Sequence, residues 1–397
     1  MSNNKIISVK NLKIFSDQVE LVKGISFDIN NNSILGIIGE SGSGKSLTAL
    51  SILKLIKYKG LQQTGQIYFR NELINSHNID QIIKNKISII FQDPMSFLNP
   101  SMRCGSQIKE ALNKKNKNDV LQLIKKVKIE NSEEAYNKYP HELSGGQQQR
   151  IMIAIAIAKS PDLIIADEAT SSLDSLIKKD IINLLIELKK EYKTSLIIVS
   201  HNLKLISNVS NNVVVMNKGK IVEKGTTLDV FKNPKNNYTK NLLLENKNLS
   251  KIFNGNNKKK KLILDVKKLK LSLSDKLILN DINFKLFKGE TLGLIGQSGS
   301  GKTSISRCIT GFYKKYSGEI NYEGINIKEI KRFDYSREVQ LIFQDPYSAL
   351  NPNIKIINQL TEPIGIHFKL SKDEAKNLAG EYLNKVKLKE NLFYKYP

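Results

Sequence analysis

The sequence contains no tryptophan, only four histidines and only two cysteines among its 397 residues. Cys104 and Cys308 stand far apart, and neither belongs to a Cys-x-x-Cys pair. This usage argues against a disulfide framework and against a thiolate metal site. It fits a reducing compartment such as the cytosol.

The sequence also lacks a long hydrophobic run. The longest apolar stretch, residues 151–158, is far shorter than the roughly 18 residues that a membrane-spanning helix needs. The first five residues are polar and do not resemble the apolar core of a signal peptide. We therefore expect neither a membrane span nor a secretory leader. The length and the 40% apolar content predict two or three globular domains.

Acidic residues are few, and the formal net charge is +24. Nearly all of the basic residues are lysine, and only six are arginine. Lysine, asparagine and isoleucine are abundant together, which is the composition that an AT-rich genome would supply. Under this interpretation the high positive charge reflects genome composition and not a function. The alternative is a basic face that approaches an anionic membrane or RNA.

Two long patterns occur twice. Residues 39–46 recur as residues 296–303 at an offset of 257 residues, and residues 91–100 recur as residues 343–352 at an offset of 252 residues. Such repetition predicts two copies of one domain in tandem. The first domain, residues 1–246, is predicted to be complete. An Asn/Lys-rich linker follows at residues 247–261. The second domain, residues 262–397, is predicted to be incomplete, since it stops before its counterpart of the Leu-Ser-Gly-Gly-Gln run at residues 143–147.

Apolar runs of strand length alternate with helical patterns, which predicts an α/β core with parallel strands. The predicted strands are residues 6–12, 25–29, 34–38, 87–91, 163–166, 195–200, 213–216 and 220–223 in the first copy, and 262–269, 282–286 and 291–295 in the second. The predicted helices are residues 47–55, 148–159, 176–192 and 304–310, with mixed helical stretches at 107–138 and 358–394.

Residues 39–46 have the pattern Gly-x-x-x-x-Gly-Lys-Ser between a predicted strand and a predicted helix. In this setting, glycines allow backbone N–H groups to wrap the α- and β-phosphates of a nucleotide. Lys45 would reach the β- and γ-phosphates, and the Ser46 hydroxyl would ligate Mg²⁺. The alternative is a plain Gly-Ser turn, and the recurrence at residues 296–303 weighs against it.

The predicted strand 163–166 leads into two carboxylates. Because an unpaired carboxylate is costly to bury, acids at the end of an apolar strand need a reason. Asp167 would hold Mg²⁺ through water, and Glu168 would polarise the water that attacks the γ-phosphate. The alternative is that the two acids begin a surface loop.

Gln92 and His201 each follow a predicted strand. The Gln92 amide could ligate Mg²⁺ and sense the γ-phosphate. His201 could contact the γ-phosphate or the attacking water. A plain loop position for Gln92 and a structural role for His201 are the alternatives.

The Leu-Ser-Gly-Gly-Gln run at residues 143–147 precedes a predicted helix. Small residues at a helix N-terminus expose backbone N–H groups and a positive dipole end, which suits an anion. The alternative is a turn that only starts the helix.

The order and spacing of the phosphate loop, Gln92, the 143–147 run, the Asp167–Glu168 pair and His201 resemble the nucleotide-binding domain of ATP-binding cassette (ABC) proteins. The resemblance covers residues 5–246 in full and 262–397 in part. It implies an α/β P-loop NTPase fold with a RecA-like core, an antiparallel β subdomain and a helical subdomain, duplicated in tandem. It also implies ATP hydrolysis coupled to transmembrane transport, with ATP and Mg²⁺ as cofactors.

The resemblance assigns roles to residues of this sequence. Ser172, Leu173 and Asp174 look like the family's D-loop. The implied catalytic residues are Glu168, His201, Gln92 and Lys45. The implied metal ligands are Ser46, Gln92, Asp167, Thr303 and Gln344. The implied ATP-binding residues are Phe15, Gly39, Glu40, Ser41, Gly42, Ser43, Gly44, Lys45, Ser46, Gln92, Ser144, Gly145, Gly146, Gln147, Asp167, Asp174, Gly296, Gln297, Ser298, Gly299, Ser300, Gly301, Lys302, Thr303 and Gln344.

Shorter patterns resemble the oligopeptide, dipeptide and nickel import group. They are the repeated Phe-Gln-Asp-Pro segments, the Tyr-Pro-His-Glu at residues 139–142 and the tail at residues 233–243. This resemblance implies import of peptides or similar small solutes, at the cytoplasmic face of the inner membrane. The implied partners are separate integral permease subunits and, indirectly, an extracytoplasmic substrate-binding protein, with no nucleic acid.

In this family, ATP lies between the phosphate loop of one domain and the Leu-Ser-Gly-Gly-Gln run of another. The sequence ends before the second copy reaches such a run. If the chain ends at residue 397, we expect hydrolysis to need a homodimer or another ABC ATPase. The alternative is that the sequence comes from a truncated gene or is a fragment of a longer protein. Phe15 can stack on adenine in the first copy, whereas the second copy has Ser272 at that position. Two other functions stay open, namely a tandem-cassette ATPase that acts on ribosomes or nucleic acid and a remnant that does not hydrolyse ATP.

Overall fold

The computed structural model describes residues 5–17, 19–56, 60–75, 77–112, 116–170, 175–248, 261–273, 276–296, 299–343, 349–388 and 390–397. The chain divides into two compact units, Met1–Phe253 (unit 1) and Asn254–Pro397 (unit 2). The predicted linker at residues 247–261 lies mostly outside the described residues. Within the ranges above, no helix combines the length and the apolar character that crossing a membrane requires.

The strands described in unit 1 form two sheets. Their bounds are β1 Lys5–Ser16, β2 Val19–Asn30, β3 Ile34–Ile38, β4 Gln62–Phe69, β5 Glu72–Leu73, β6 Ile87–Ile90, β7 Leu163–Asp167, β8 Ser195–Val199, β9 Asn212–Asn217 and β10 Lys220–Thr226. The larger sheet has the order β10-β9-β3-β8-β7-β6, and the smaller sheet has the order β2-β1-β4-β5. The smaller sheet is antiparallel throughout.

The larger sheet is parallel from β9 to β6, and only β10 runs antiparallel. Its strands β3, β7 and β8 are buried along their whole length, which explains their continuous apolar sequence. Successive side chains enter different cores. Ile37 lies in the core shared with the antiparallel sheet, and Ile38 lies in the core shared with the helices on the other face. The predicted α/β class is confirmed.

The helices described in unit 1 are α1 Lys45–Ile52, α2 Ile79–Asn85, α3 Pro94–Phe97, α4 Cys104–Ala111, α5 Lys117–Lys126, α6 Ser132–Asn137, α7 Gly145–Ile157, α8 Ser175–Tyr192, α9 Leu203–Val209, α10 Thr227–Lys232 and α11 Asn237–Asn248. The helical subdomain comprises α4, α5 and α6, which pack on one another and on α7 through a buried cluster that includes Ile108, Val120 and Ile151. Helix α7 begins at Gly145, earlier than the predicted Gln148, because the Ser144 side chain caps it.

Unit 2 repeats the first half of unit 1. It contains strands β11 Leu262–Leu273, β12 Lys276–Phe287, β13 Ser317–Tyr322 and β14 Ile325–Asn326, in the order β12-β11-β13-β14. The α-helices described in unit 2 are α12 Lys302–Ile309, α13 Arg332–Glu338, α14 Ile356–Phe368 and α15 Lys372–Lys385. Helices α14 and α15 pack through Ile357, Ile364, Ala379 and Leu383.

The predicted strand at residues 291–295 is wrong, because this segment forms no strand and is exposed. Its counterpart β3 is paired with β8 and β9 on its two sides, whereas no described strand of unit 2 pairs with residues 291–295. A strand needs neighbours to pair its backbone N–H and C=O groups, so an apolar pattern alone does not make one. Ile295 is 100% exposed, whereas its counterpart Ile38 is completely buried.

Candidate functional site: a nucleotide site at the edge of the parallel sheet

The loop between β3 and α1 depends on glycine at three positions. Gly39, Gly42 and Gly44 have φ angles of +150°, +78° and +96°, which disfavour side chains. A Cβ on Gly39 would also lie 2.1 Å from the carbonyl oxygen of Met216. The loop therefore passes close to the end of β9, and it has the glycine-rich turns that a phosphate cradle requires.

Lys45 begins α1 and folds back over the loop. Its Nζ donates hydrogen bonds to the carbonyl oxygens of Gly39 at 2.9 Å and Glu40 at 2.7 Å. Burial lowers the pKa of the Lys45 ammonium, and the nearby carboxylates of Glu168, Asp167 and Glu40 oppose that change. The positive charge is thus held inside the ring of the loop, where phosphates would be bound.

Ser46 and Asp167 meet beside the loop. The Ser46 hydroxyl donates a hydrogen bond of 2.9 Å to Oδ1 of Asp167, the last residue of β7. Both side chains offer hard oxygen ligands, and Asp167 is buried. The described residues contain no cluster of three or more His, Cys, Asp or Glu side chains suited to a metal. A hydroxyl and one carboxylate suit Mg²⁺, which usually completes its shell with water and substrate phosphates.

Glu168 occupies a strained backbone position directly after β7. Its φ is +46°, in the left-handed region that non-glycine residues seldom adopt. Its N–H donates to the carbonyl oxygen of Val199 at the end of β8, at 3.0 Å. Its carboxylate Oε1 lies 3.4 Å from Nδ1 of His201, and the Glu168 side chain is 18% exposed. The fold therefore joins the predicted water-polarising acid to the predicted histidine.

Parallel topology explains why these residues converge. Strands β3, β6, β7 and β8 all end at the same edge of the sheet, where ligands of α/β proteins bind. The phosphate loop follows β3, Gln92 follows β6, and His201 follows β8. Gln92 is exposed at this edge. Contacts place Lys45, Ser46, Asp167, Glu168 and His201 together, and topology places Gln92 at the same end.

The predicted anion-binding end of α7 is capped and accessible. Ser144 Oγ accepts from the Gln147 N–H at 3.4 Å, and Gln147 Oε1 accepts from the Ser144 N–H at 3.0 Å. Ser144 and Gly145 are exposed. Gly146 has little space for a side chain, since an added Cβ would lie 3.2 Å from Ile177. The helix terminus is thus available to a ligand or partner that approaches from solvent.

The predicted adenine-stacking position lies in β1. Phe15 is half-buried and pairs with Glu20 of β2. In unit 2, Ser272 occupies the same register position opposite Leu277 and is exposed. The structure keeps the backbone of this position in both units and the aromatic ring only in the first.

The loop of unit 2 repeats the geometry of the first loop. Gly299 and Gly301 have φ angles of +78° and +91°. Lys302 Nζ donates to the carbonyl oxygen of Gly296 at 2.8 Å. Six residues with predicted roles lie outside the described residues, namely Ser172, Leu173, Asp174, Gln297, Ser298 and Gln344.

Sequence reasoning missed one side chain at the first loop. The Tyr238 hydroxyl, on α11, accepts a hydrogen bond of 3.1 Å from the Glu40 N–H. The tail that carries Tyr238 stood out only as a subgroup pattern. Nothing in its composition shows that it returns to a loop 198 residues earlier in the chain.

The ABC transporter family model matches residues 22–171 and 279–395, one segment in each unit. The peptidoglycan transport ATP-binding protein YejF of Agrobacterium fabrum is 32% identical over 423 residues, which cover 99% of this chain and 77% of that protein. The glutathione import ATP-binding protein GsiA of Pectobacterium atrosepticum is 28% identical over 455 residues, which cover 100% of this chain and 73% of that protein.

A solved structure is also similar. It is cbiO1 from Clostridium perfringens, described as part of the ABC transporter complex cbiONQ. It is 27% identical, with a TM-score of 0.51, and the match covers 62% of this chain and 96% of that chain. The family predicted from the sequence motifs is therefore confirmed. The chain belongs to the ABC transporter family, as one of its ATP-binding and ATP-hydrolysing proteins.

Proposed function

We propose that this chain is the ATP-hydrolysing subunit of an importer that takes up peptides or similar small solutes through separate membrane subunits. The observation that carries the proposal is the cluster of Lys45, Ser46, Asp167, Glu168 and His201 at one edge of the parallel sheet. The names of relatives, which refer to glutathione import and peptidoglycan transport, support the transport class.

Binding would begin at the loop of residues 39–46. Its backbone N–H groups and the Lys45 ammonium bind the phosphates, while Phe15 offers a face for the base. Ser46 Oγ and Asp167 would hold Mg²⁺, with Gln92 reaching it from the end of β6. When bound, Mg²⁺ neutralises charge on the phosphates during transfer.

Hydrolysis would use the pair at the ends of β7 and β8. The Glu168 carboxylate orients and polarises the attacking water, as a general base positioned beside the γ-phosphate can do. His201 lies 3.4 Å away and contacts either the γ-phosphate or that water. The strained backbone of Glu168 places its carboxylate beside His201. Backbone strain of this kind is common at functional sites.

A second chain would complete the site. The capped, exposed end of α7 at residues 144–147 would bind the γ-phosphate that is held by the loop of a partner domain. We propose that the partner is a second copy of this chain or another ABC ATPase. Closure around ATP and reopening after hydrolysis would drive the permease subunits at the cytoplasmic face of the inner membrane.

Two alternatives are less well supported. A cassette protein that acts on ribosomes or nucleic acid would use the +24 charge. However, the named relatives act in import and transport. A remnant that does not hydrolyse ATP would not need the joined Glu168 and His201 side chains.

The test is to purify the tagged chain from detergent-solubilised membranes of its own cells. We expect integral membrane subunits to copurify and the complex to hydrolyse ATP. Recovery with ribosomes instead, with an affinity that falls steeply as salt rises, would establish the nucleic-acid alternative. Copurification without ATP hydrolysis would favour the inactive remnant.

A further inference from the structure

The tail of unit 1 touches the nucleotide loop outside the part of the chain that the family model matches. That match ends at residue 171 in unit 1 and resumes at residue 279. Helix α11 begins at Asn237, and the hydroxyl of its second residue, Tyr238, accepts from the Glu40 N–H at 3.1 Å. The contact joins residues 198 positions apart, so the tail must be folded back for it to form.

A carboxylate holds the start of the tail in place. Glu223, on β10, accepts hydrogen bonds from the N–H groups of Lys235 at 2.8 Å and Asn236 at 3.1 Å. Asn236 Oδ1 then accepts from the Tyr238 N–H at 2.8 Å. These bonds fix the backbone directly before α11. They connect Tyr238 to β10, the edge strand of the larger sheet, and so limit the directions that its side chain can take.

Glu40, the residue whose N–H bonds to Tyr238, is a junction of the loop. The carbonyl oxygen of Glu40 accepts from the Lys45 ammonium at 2.7 Å and from the Ser43 N–H at 3.2 Å. The Tyr238 hydroxyl therefore fixes the N–H of the same residue whose carbonyl fixes the phosphate-binding lysine. Release of the tail would break the bond between the Tyr238 hydroxyl and the Glu40 N–H.

We propose that Tyr238 is a positioning residue that holds the phosphate loop in its binding shape, so that docking of the tail and binding of nucleotide at the first loop stabilise each other. The inference rests on the proposed binding of ATP at this loop. Reciprocity follows from linkage: whatever factor the docked tail contributes to nucleotide affinity, bound nucleotide contributes to docking of the tail.

The first test is Tyr238→Phe, which removes the hydroxyl and keeps the ring. Nucleotide affinity is measured with trinitrophenyl-ATP in a Lys302→Ala background, so that only the first loop is read. We expect the dissociation constant to rise about 3- to 10-fold, the effect of one hydrogen bond, with kcat for ATP hydrolysis within about 2-fold and KM raised.

The matched control is Tyr192→Phe. The Tyr192 hydroxyl accepts from Lys126 Nζ at 3.1 Å on a different part of unit 1. Its loss should leave nucleotide affinity unchanged. Glu223→Ala, which frees the start of the tail, should weaken nucleotide binding as Tyr238→Phe does. Equal affinities for Tyr238→Phe, Glu223→Ala and the parent chain would overturn the proposal.

Hydrogen exchange provides a readout that a merely structural tyrosine would not change. In the parent chain, ATP should slow exchange of the amides of residues 235–242, and in Tyr238→Phe this protection should be lost. If Tyr238→Phe does not fold, the parent chain decides alone, because absence of ATP-dependent protection there contradicts the linkage. If Lys45→Ala did not weaken ATP binding, that result would instead contradict the proposed ATP site at the first loop.

Discussion

At the scale of single residues, Glu168 combines strain with chemistry. A non-glycine residue with a φ of +46° carries a cost of about 1–3 kcal/mol, which the rest of the fold must offset. Its N–H bond to Val199 and its position at the end of β7 hold it there. The result is a carboxylate beside His201 at the edge where the phosphate loop lies.

We expect Glu168→Gln to lower kcat for ATP hydrolysis by at least about 100-fold, because the amide cannot act as a base. The dissociation constant for ATP should not change, since the phosphate loop stays intact. Phosphate release and equilibrium binding measure the two quantities. The control is Glu187→Gln, which removes only a surface ion pair with Lys128. An unchanged rate in Glu168→Gln would refute the assignment.

Lys45→Ala should weaken ATP binding itself at the first loop. It removes the buried ammonium that lies over Gly39 and Glu40. We expect the dissociation constant to rise at least about 10-fold when it is measured in a Lys302→Ala background, since hydrogen bonds to charged groups contribute about 1.5–3 kcal/mol each. Equal affinity with and without Lys45 would count against this loop as the binding site.

At the scale of elements, the N-terminus of α7 has one observed role, in capping, and one proposed role, in anion binding. Ser144 caps the helix, and it also stands at the end where an anion would bind. A plain turn would need only the first role. Asparagine and aspartate cap helices as well as serine does, whereas alanine does not.

Substitutions of Ser144 can separate capping of α7 from anion binding at its N-terminus. Ser144→Ala should destabilise unit 1 by about 1 kcal/mol. Ser144→Asp should keep the stability, because a negative charge suits a helix N-terminus, but it should abolish ATP hydrolysis by repelling the γ-phosphate. Urea unfolding and phosphate release are the measurements. Full hydrolysis in a stable Ser144→Asp variant would mean that the run is only a turn.

The sequence predicted these elements because its local signals agree with their surroundings in unit 1. Glycine spacing identified the phosphate loop, and an apolar run that ends in Asp167 identified β7. The same kind of signal was wrong for residues 291–295, because a strand also requires its neighbours. The strain at Glu168 and the contact of Tyr238 with Glu40 could not be predicted, since both arise from packing between distant segments.

At the scale of the whole molecule, the two units place equivalent residues in opposite environments. Ile38 and Ile90 are completely buried in unit 1, whereas their counterparts Ile295 and Ile342 are 100% and 95% exposed in unit 2. The same side chains therefore contribute very differently to the stability of the two units.

Ile38→Ala should cost about 2–5 kcal/mol of unfolding free energy, because it leaves a cavity in the core. Ile295→Ala should cost less than about 0.5 kcal/mol. Urea unfolding followed by circular dichroism, with limited proteolysis to tell the units apart, measures both. Ile90→Ala and Ile342→Ala are a second matched pair. A large loss in Ile295→Ala would mean that another polypeptide segment covers this residue in solution.

The nucleotide loop is completed by groups that occur much later in the chain. Gly219 donates its N–H to the Ser43 carbonyl oxygen, Met216 packs against Gly39, and Tyr238 holds Glu40. During translation, the loop leaves the ribosome long before these partners do. At about 5–20 residues per second, the delay over 198 residues is about 10–40 s. We therefore expect the loop to acquire its final shape, and with it its full affinity for nucleotide, only when synthesis of unit 1 is nearly finished.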